Sequence, residues 1–370
     1  MKQLSLSSRI HKLDTCKEFV EAFDIKESDL IITCEYIFEP YFKDMDIKAQ
    51  VIYQEKFGQG EPNDDMVNDM IKAIHPNFNR VIGIGGGTVL DISKLFVLKT
   101  MTPLLDLFQG KITPEKKCDL ILVPTTCGTG SEVTNVSILG FNALDTKLRL
   151  AVDELYADDA VLIPELINHL PRKFFATSSI DALIHAIESS LSPLATPFSK
   201  LFGYKAIELI ITSYRRLEQE GFDIQNSLLE DFLIASNYAG IAFGKAGCGA
   251  VHAMSYPLSG KYHVAHGEAN YALLTSVLKK YSEKKCSDNY TETMNILKSA
   301  LGCTTEEVPS ALDKLLSVVL EKQPISHYGT TAEDVPAFAD SVLKYQQVVM
   351  SHNPTVLSRE DIIDIYNHCL

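Results

Sequence analysis

Two groups of residues in this chain have types and spacing suited to chemistry. Asp181 and His185 stand four apart in the stretch Ser179 to Glu188, so a helix would place both on one face, about one turn apart. Three of the ten histidines, His252, His263 and His266, fall between Val251 and Gly267. One carboxylate and three imidazoles can ligate Fe²⁺ or Zn²⁺. Taken singly, an Asp-x-x-x-His pair is equally an ordinary helix-face hydrogen bond, and a histidine is equally polar packing. Spacing alone does not bring the two segments together.

The second group is built on glycine. Gly83-Ile84-Gly85-Gly86-Gly87-Thr88 joins a strand-like run to a helical one. Glycine lets a backbone turn sharply and approach a ligand, and a helix N-terminus offers amides and partial positive charge to a phosphate. The dinucleotide pattern GxGxxG fails at Thr88, and no Walker lysine follows, so the loop reads either as a phosphate site or as a tight turn without a ligand. A second loop, Pro124 to Thr134, carries hydroxyls at Thr125, Thr126, Thr129 and Ser131 with glycines at 128 and 130. Two such loops at the carboxyl ends of neighbouring strands would form a ligand crevice.

Both groups need elements to hold them. Asp29–Cys34, Lys48–Tyr53, Arg80–Ile84 and Asp119–Val123 are short continuous apolar runs, as buried parallel strands are, and helical patterns separate them. After Pro171 the spacing turns helical over 172–192, 200–219, 225–243, 268–283, 308–320, 333–350 and 358–368. Pro171 suits a first helical turn, and Ser358 with Asp361 resembles a capping box. The reading is an α/β domain over 1–170 with a parallel, doubly wound sheet, then an all-α domain over 171–370, the two packed around a cleft.

Composition narrows the function. A formal charge of −14 gives no basic footprint for nucleic acid or an anionic membrane. No segment approaches the roughly 20 apolar residues of a membrane span, and the N-terminus has no apolar signal core. Eight dispersed cysteines without a CxxC pair suit reduced thiols in a cytoplasmic protein.

At these residues the chain resembles the iron-containing (group III) alcohol dehydrogenase family. Gly85-Gly86-Gly87-Thr88-x-x-Asp91-x-x-Lys94 is similar to its GGGSxxDxxK, and Pro124 to Glu132 to its PTTxGTGSE. Asp181-Ala-Leu-x-His185-Ala-x-Glu188 resembles its ligand-bearing helix, and His252 through Asn270 its long histidine-rich stretch. The resemblance spans nearly the whole chain. It implies a Rossmann-like dinucleotide-binding sheet followed by a helical catalytic domain, as in the dehydroquinate synthase-like architecture. It implies metal ligands Asp181, His185, His252 and His266, with Fe²⁺ or Zn²⁺ both acceptable. It implies NAD contacts from Gly85, Gly86, Gly87, Thr88, Thr125, Thr126, Thr129 and Lys147, with Asp91 near the nicotinamide end. A dimer or larger homo-oligomer is expected.

The wording from Val251 to Tyr271, from Gln54 to Pro62 and from Asn237 to Gly244 is similar to clostridial-type 4-hydroxybutyrate dehydrogenases. The expected reaction is hydride transfer between NAD(H) and 4-hydroxybutyrate or succinate semialdehyde. The substrate carboxylate then needs a cation or several donors, from Lys261, His263 and Lys245. The chain departs from the family at Tyr256, where a second histidine is usual, at Cys34, where an aspartate usually meets the ribose, and at Lys245, where asparagine is more usual. Tyr256 or His263 would relay the proton. The alternatives are a related dehydrogenase for lactaldehyde, 1,3-propanediol or butanol, a dehydroquinate synthase-like lyase, and a non-catalytic nucleotide or metal sensor.

Overall fold

The inner strands of the N-terminal half are apolar because both faces of their sheet are covered. The computed structural model describes residues 3–144 and 146–370. The chain divides into Leu6–Leu170 and Pro171–Leu370. Gln3 to Ser5 group with the second unit, where the Gln3 carbonyl accepts the Thr196 hydroxyl at 3.0 Å.

The first unit holds strands β1 (Arg9–Lys12), β2 (Asp29–Thr33), β3 (Gln50–Tyr53), β4 (Arg80–Gly85), β5 (Asp119–Pro124), β6 (Val136–Phe141), β7 (Thr146–Ala151) and β8 (Asp159–Leu162). Its helices are α1 (Cys16–Phe23), α2 (Glu35–Phe42), α3 (Asp64–Ala73), α4 (Gly87–Phe96) and α5 (Leu104–Phe108). Six strands form one parallel sheet in the order β1-β8-β5-β4-β2-β3, and β6 pairs antiparallel with β7. The inner strands bury Leu30, Ile31, Ile32, Val81, Ile82, Ile84 and Leu120 to Val123. The outer strands β1 and β3 stay partly exposed. From β2 the chain steps outward to β3, then crosses back to β4 on the other side of β2. That reversal is a topological switch point, where open α/β sheets bind ligands at the strands' carboxyl ends. The glycine loop opens there.

The four runs read as strands are β2 to β5, whereas β1, β8 and the β6–β7 hairpin were not read. The second unit is helical: α6 (Arg172–Leu191), α7 (Pro197–Glu220), α8 (Gln225–Ala246), α9 (Ala250–Tyr262), α10 (His266–Ser282), α11 (Asp288–Leu301), α12 (Val308–Ser317), α13 (Val335–Tyr345), α14 (Gln347–Met350) and α15 (Arg359–Cys369). Helix α6 is the centre, packed against α7, α8, α10 and α11 and buried on every side from Ser179 to Leu191. Pro171 is the N-cap of α6, one place before the first turn it was expected to occupy. Ser358 and Asp361 do form a capping box on α15. The α9 and α11 helices lie outside the stretches whose spacing is helical. Among the described residues no helix is long and apolar enough to cross a membrane. All eight cysteines are free thiols.

Candidate metal centre and phosphate cradle

Three helices of the second unit bring the ligand-type side chains together. On α6, His185 Nδ1 lies 3.7 Å from Asp181 Oδ2. His252, in the first turn of α9, places Nε2 3.6 Å from Asp181 Oδ1. His266, the first residue of α10, places Nε2 3.8 Å from the same oxygen. The α10 N-terminus reaches α6 because Gly267 has no side chain: a Cβ there would overlap the Thr177 carbonyl. Ligand atoms of Asp181, His252 and His266 all lie within 4.8 Å of one another, and the 3.6 and 3.8 Å separations from Asp181 Oδ1 are ones that bonds of about 2.0–2.2 Å to a shared metal can bridge. His185 belongs to a second trio of the same span, with Cys248 and His252, and its ring stacks on His252 at 4.5 Å. The four expected ligands are thus neighbours, and with Cys248 they make two overlapping trios.

Glu188 and Asn270 organise this cluster, and the sequence reading used both only as motif letters. Glu188 Oε2 accepts from His252 Nδ1 at 2.6 Å and from the Gly249 amide at 3.0 Å, and Oε1 accepts from the Val251 amide at 2.6 Å. A ring whose Nδ1–H donates to a carboxylate turns the lone pair of Nε2 toward a ligand. His252 Nε2 is buried and has no hydrogen-bond partner. Such an orphan costs about 1–3 kcal/mol, which a cation at that nitrogen would remove. The Asn270 amide nitrogen donates to Asp181 Oδ1 at 2.8 Å and lies 3.2 Å from His266 Nε2. Burial alone would raise the Asp181 carboxyl; the imidazoles of His185, His266 and His252 reverse this and hold it well below the usual carboxylate range. The residues fit a divalent cation.

In the first unit β4 ends at Gly85, Gly86 caps α4 and Gly87 begins it. A Cβ on Gly87 would come 2.8 Å from Thr129 Cγ2, so glycine is what lets the two loops lie this close. The Thr125 amide donates to the Gly85 carbonyl at 3.0 Å, and Thr88 Oγ1 donates to the Gly60 carbonyl at 3.0 Å. Behind the loops sits Lys94, fully buried, donating to Ser131 Oγ at 2.6 Å, Thr134 Oγ1 at 3.2 Å and the Val136 carbonyl at 2.6 Å. Ser131 Oγ donates to Asp91 at 2.6 Å, and Asp91 also accepts the Ile138 amide at 3.0 Å. Asp91, expected near the nicotinamide, thus braces the second loop through Ser131. Burial pushes the Lys94 ammonium below its ordinary value, with Asp91 opposing the shift. Lys147 pairs with Glu61. The open amides of the α4 N-terminus beside Thr126 and Thr129 make a cradle suited to a pyrophosphate.

Other expected residues stand apart. His263 is the exposed C-cap of α9 with φ 53°, and among the described residues its side chain has no partner. The Tyr256 ring lies 6.3 Å from that of His266, nearly parallel to it, and burial pushes its phenol up to about 12. Lys261 pairs with Asp334. Lys245 is half-buried at the end of α8, without a side-chain partner among the described residues. Cys34 is the buried N-cap of α2, while Glu35 beside it is exposed and lies 3.3 Å from Lys56.

Comparison with known proteins extends this picture. The profile described as "Fe-containing alcohol dehydrogenase family, C-terminal" matches residues 175–370, and "Iron-containing alcohol dehydrogenase" matches residues 9–164. The chain is 47% identical over 367 residues, 99% of each protein, to the 4-hydroxybutyrate dehydrogenase of Clostridium kluyveri. It is 33% identical over 78% of its length, and 74% of the relative's, to long-chain-alcohol dehydrogenase 1 of Geobacillus thermodenitrificans. In fold it is similar to sulfoacetaldehyde reductase from Bifidobacterium kashiwanohense, solved in complex with NAD⁺ (TM-score 0.86, 20% identity, covering 100% of this chain and 98% of that one). A solved 1,3-propanediol oxidoreductase superposes at TM-score 0.84, with 23% identity and full coverage of both chains.

Proposed function

The chain belongs to the iron-containing alcohol dehydrogenase family, and from that premise we propose that it transfers a hydride between NAD(H) and 4-hydroxybutyrate or succinate semialdehyde. The observation that carries the reading is the orphaned His252 Nε2, buried beside Asp181 and within ligand distance of His266. The substrate rests on the relative from Clostridium kluyveri, similar along nearly its whole length.

Asp181, His252 and His266, with His185 adjoining, would hold the cation, Fe²⁺ or Zn²⁺. When bound, that cation supplies Lewis acidity at the alcohol or carbonyl oxygen. Asp181 contributes the negative charge that a divalent ion needs, and Asn270 orients it. Glu188 fixes the His252 tautomer. Gly86, Gly87, Thr126 and Thr129 would admit the pyrophosphate of the dinucleotide. The Asp91–Ser131–Lys94 network keeps the second loop rigid while it does so. The Tyr256 phenol, pushed up by burial, stays protonated at neutral pH. Lys245, half-buried and without a side-chain partner among the described residues, is a candidate cation for the substrate carboxylate.

The test is anaerobic metal loading followed by NADH absorbance with 4-hydroxybutyrate, succinate semialdehyde, 1,2-propanediol and butanol. Chelator-sensitive turnover that prefers 4-hydroxybutyrate is expected. His266→Ala and Asp181→Ala should lose both metal and turnover while circular dichroism is unchanged. Lys245→Met should raise KM for 4-hydroxybutyrate and leave that for butanol unaltered. Preference for butanol would overturn the substrate, and full metal content in both ligand variants would overturn the site.

A further inference from the structure

The sharing of His252 between two trios has a chemical consequence. One trio, Asp181, His252 and His266, offers one oxygen and two nitrogens; the other, His185, Cys248 and His252, offers two nitrogens and one sulfur. Both include His252. His252 Nδ1 is held by Glu188 at 2.6 Å, so only Nε2 is left to coordinate, and that nitrogen is buried without a hydrogen-bond partner. One lone pair cannot serve two cations at once. We propose that this chain has a second, thiolate-containing cation position at His185, Cys248 and His252, mutually exclusive with the oxygen-containing one, and that it takes the softer divalent ions, Zn²⁺ above all.

The ligand chemistry sets the division. Thiolate favours Zn²⁺ and other soft ions, whereas carboxylate suits harder ones, and Fe²⁺ is the harder of the two candidates here. Cys248 follows Gly247, directly between the end of α8 and the start of α9, and its backbone carbonyl accepts from His352 Nδ1 at 3.0 Å, which anchors that turn. His185 is held from its other face by the Phe243 ring, stacked at 4.4 Å. The sulfur is thus delivered by a fixed turn against a fixed ring. Binding there would release the thiol proton to solvent and leave Asp181 and His266 without a shared ion. The proposal rests on the metal-centre reading above, and it adds that the same cluster discriminates between metals by position.

The decisive measurement is X-ray absorption on the full-length protein, stripped of metal and reloaded with one equivalent of Zn²⁺ or, anaerobically, Fe²⁺. A sulfur neighbour at about 2.3 Å is expected around zinc and only nitrogen and oxygen neighbours around iron. In Cys248→Ser the zinc sulfur signal should vanish, and Zn²⁺ affinity should fall by at least about tenfold with Fe²⁺ affinity little changed. Asp181→Asn should do the reverse, weakening Fe²⁺ and sparing Zn²⁺. Zinc bound by nitrogen and oxygen alone in the unsubstituted protein, or a sulfur signal that survives in Cys248→Ser, would overturn the thiolate position. Unaltered Fe²⁺ affinity in Asp181→Asn would instead overturn the oxygen-containing centre, so the two readings fail separately.

Discussion

Glu188 shows how much of the candidate centre depends on a residue with no claim to touch the ion. Its two oxygens take the His252 ring proton and the Gly249 and Val251 amides, so one carboxylate both sets a tautomer and caps the helix that carries the ring. Glu188→Gln keeps the shape but would present an amide that can donate where it must only accept. Metal affinity is expected to drop about 10- to 100-fold, the usual effect of losing a partner that orients a ligand. Competition against a chelator measures this directly. Nothing in the spacing of Asp181, His185, His252 and His266 distinguished Glu188 from any other acidic helix residue. Cys248 was equally illegible, because a single cysteine in a glycine-rich turn reads as packing until His185 and His252 are found beside it. The four expected ligands came from the resemblance of their segments to the family's motifs; their spacing alone fitted polar packing equally well and did not separate His266 from His263.

At the scale of elements, legibility followed the apolar runs of the sequence. Strands β2, β4 and β5 are apolar because both faces are covered, and they were read with nearly their observed bounds. Strand β1 reads Arg-Ile-His-Lys and lies at the sheet's edge, so its sequence carries no apolar run; β8 is wholly buried yet, unlike the equally short β3, stood outside the four runs. Helix α9 escaped for another reason. It is buried on most of its surface, which erases the one-sided stripe, and it contains Pro257, which breaks a helical pattern in sequence. Its far end is tied to α13 by Asp334, which accepts from Lys261 and Tyr262 and from the Thr331 amide. The Lys261 hydrogen bond, with these others, holds the Asp334 carboxyl well below the usual range. A carboxyl depressed in the folded state adds stability above its unfolded pKa of about 3.9 and loses it as pH falls through the folded value. Urea midpoints of the parent chain and Asp334→Asn should therefore differ at pH 7 and converge as pH drops below about 4. In the other unit, Gly87→Ala would force apart the loops after β4 and β5. KM for NAD should rise about tenfold or more, a loss of about 1.4 kcal/mol, with metal content unchanged.

For the whole chain, the order of the sheet matters more than any one contact. The first strand pairs with the last: β1 lies along β8, and Arg9 forks onto Asp159 with both bonds at 2.7 Å. The Arg9 amide donates to the Asp158 carbonyl and the Leu13 amide to the Leu162 carbonyl, so in a parallel ladder the alternate amide of His11 also faces β8. His11→Pro removes that donor and should lower the melting temperature, by about 2–4 °C for each kcal/mol lost in a unit of this size. Calorimetry would check it, and an unchanged transition would mean the edge pairing is dispensable. The partners are 150 residues apart in sequence. On a ribosome adding about 5–20 residues per second, the first strand must wait roughly 8–30 s for its mate to be made. During that interval an apolar ribbon would be a hazard to every neighbouring nascent chain. The polar lettering of Arg9 to Lys12 keeps the waiting segment inert until synthesis delivers the strand that completes it.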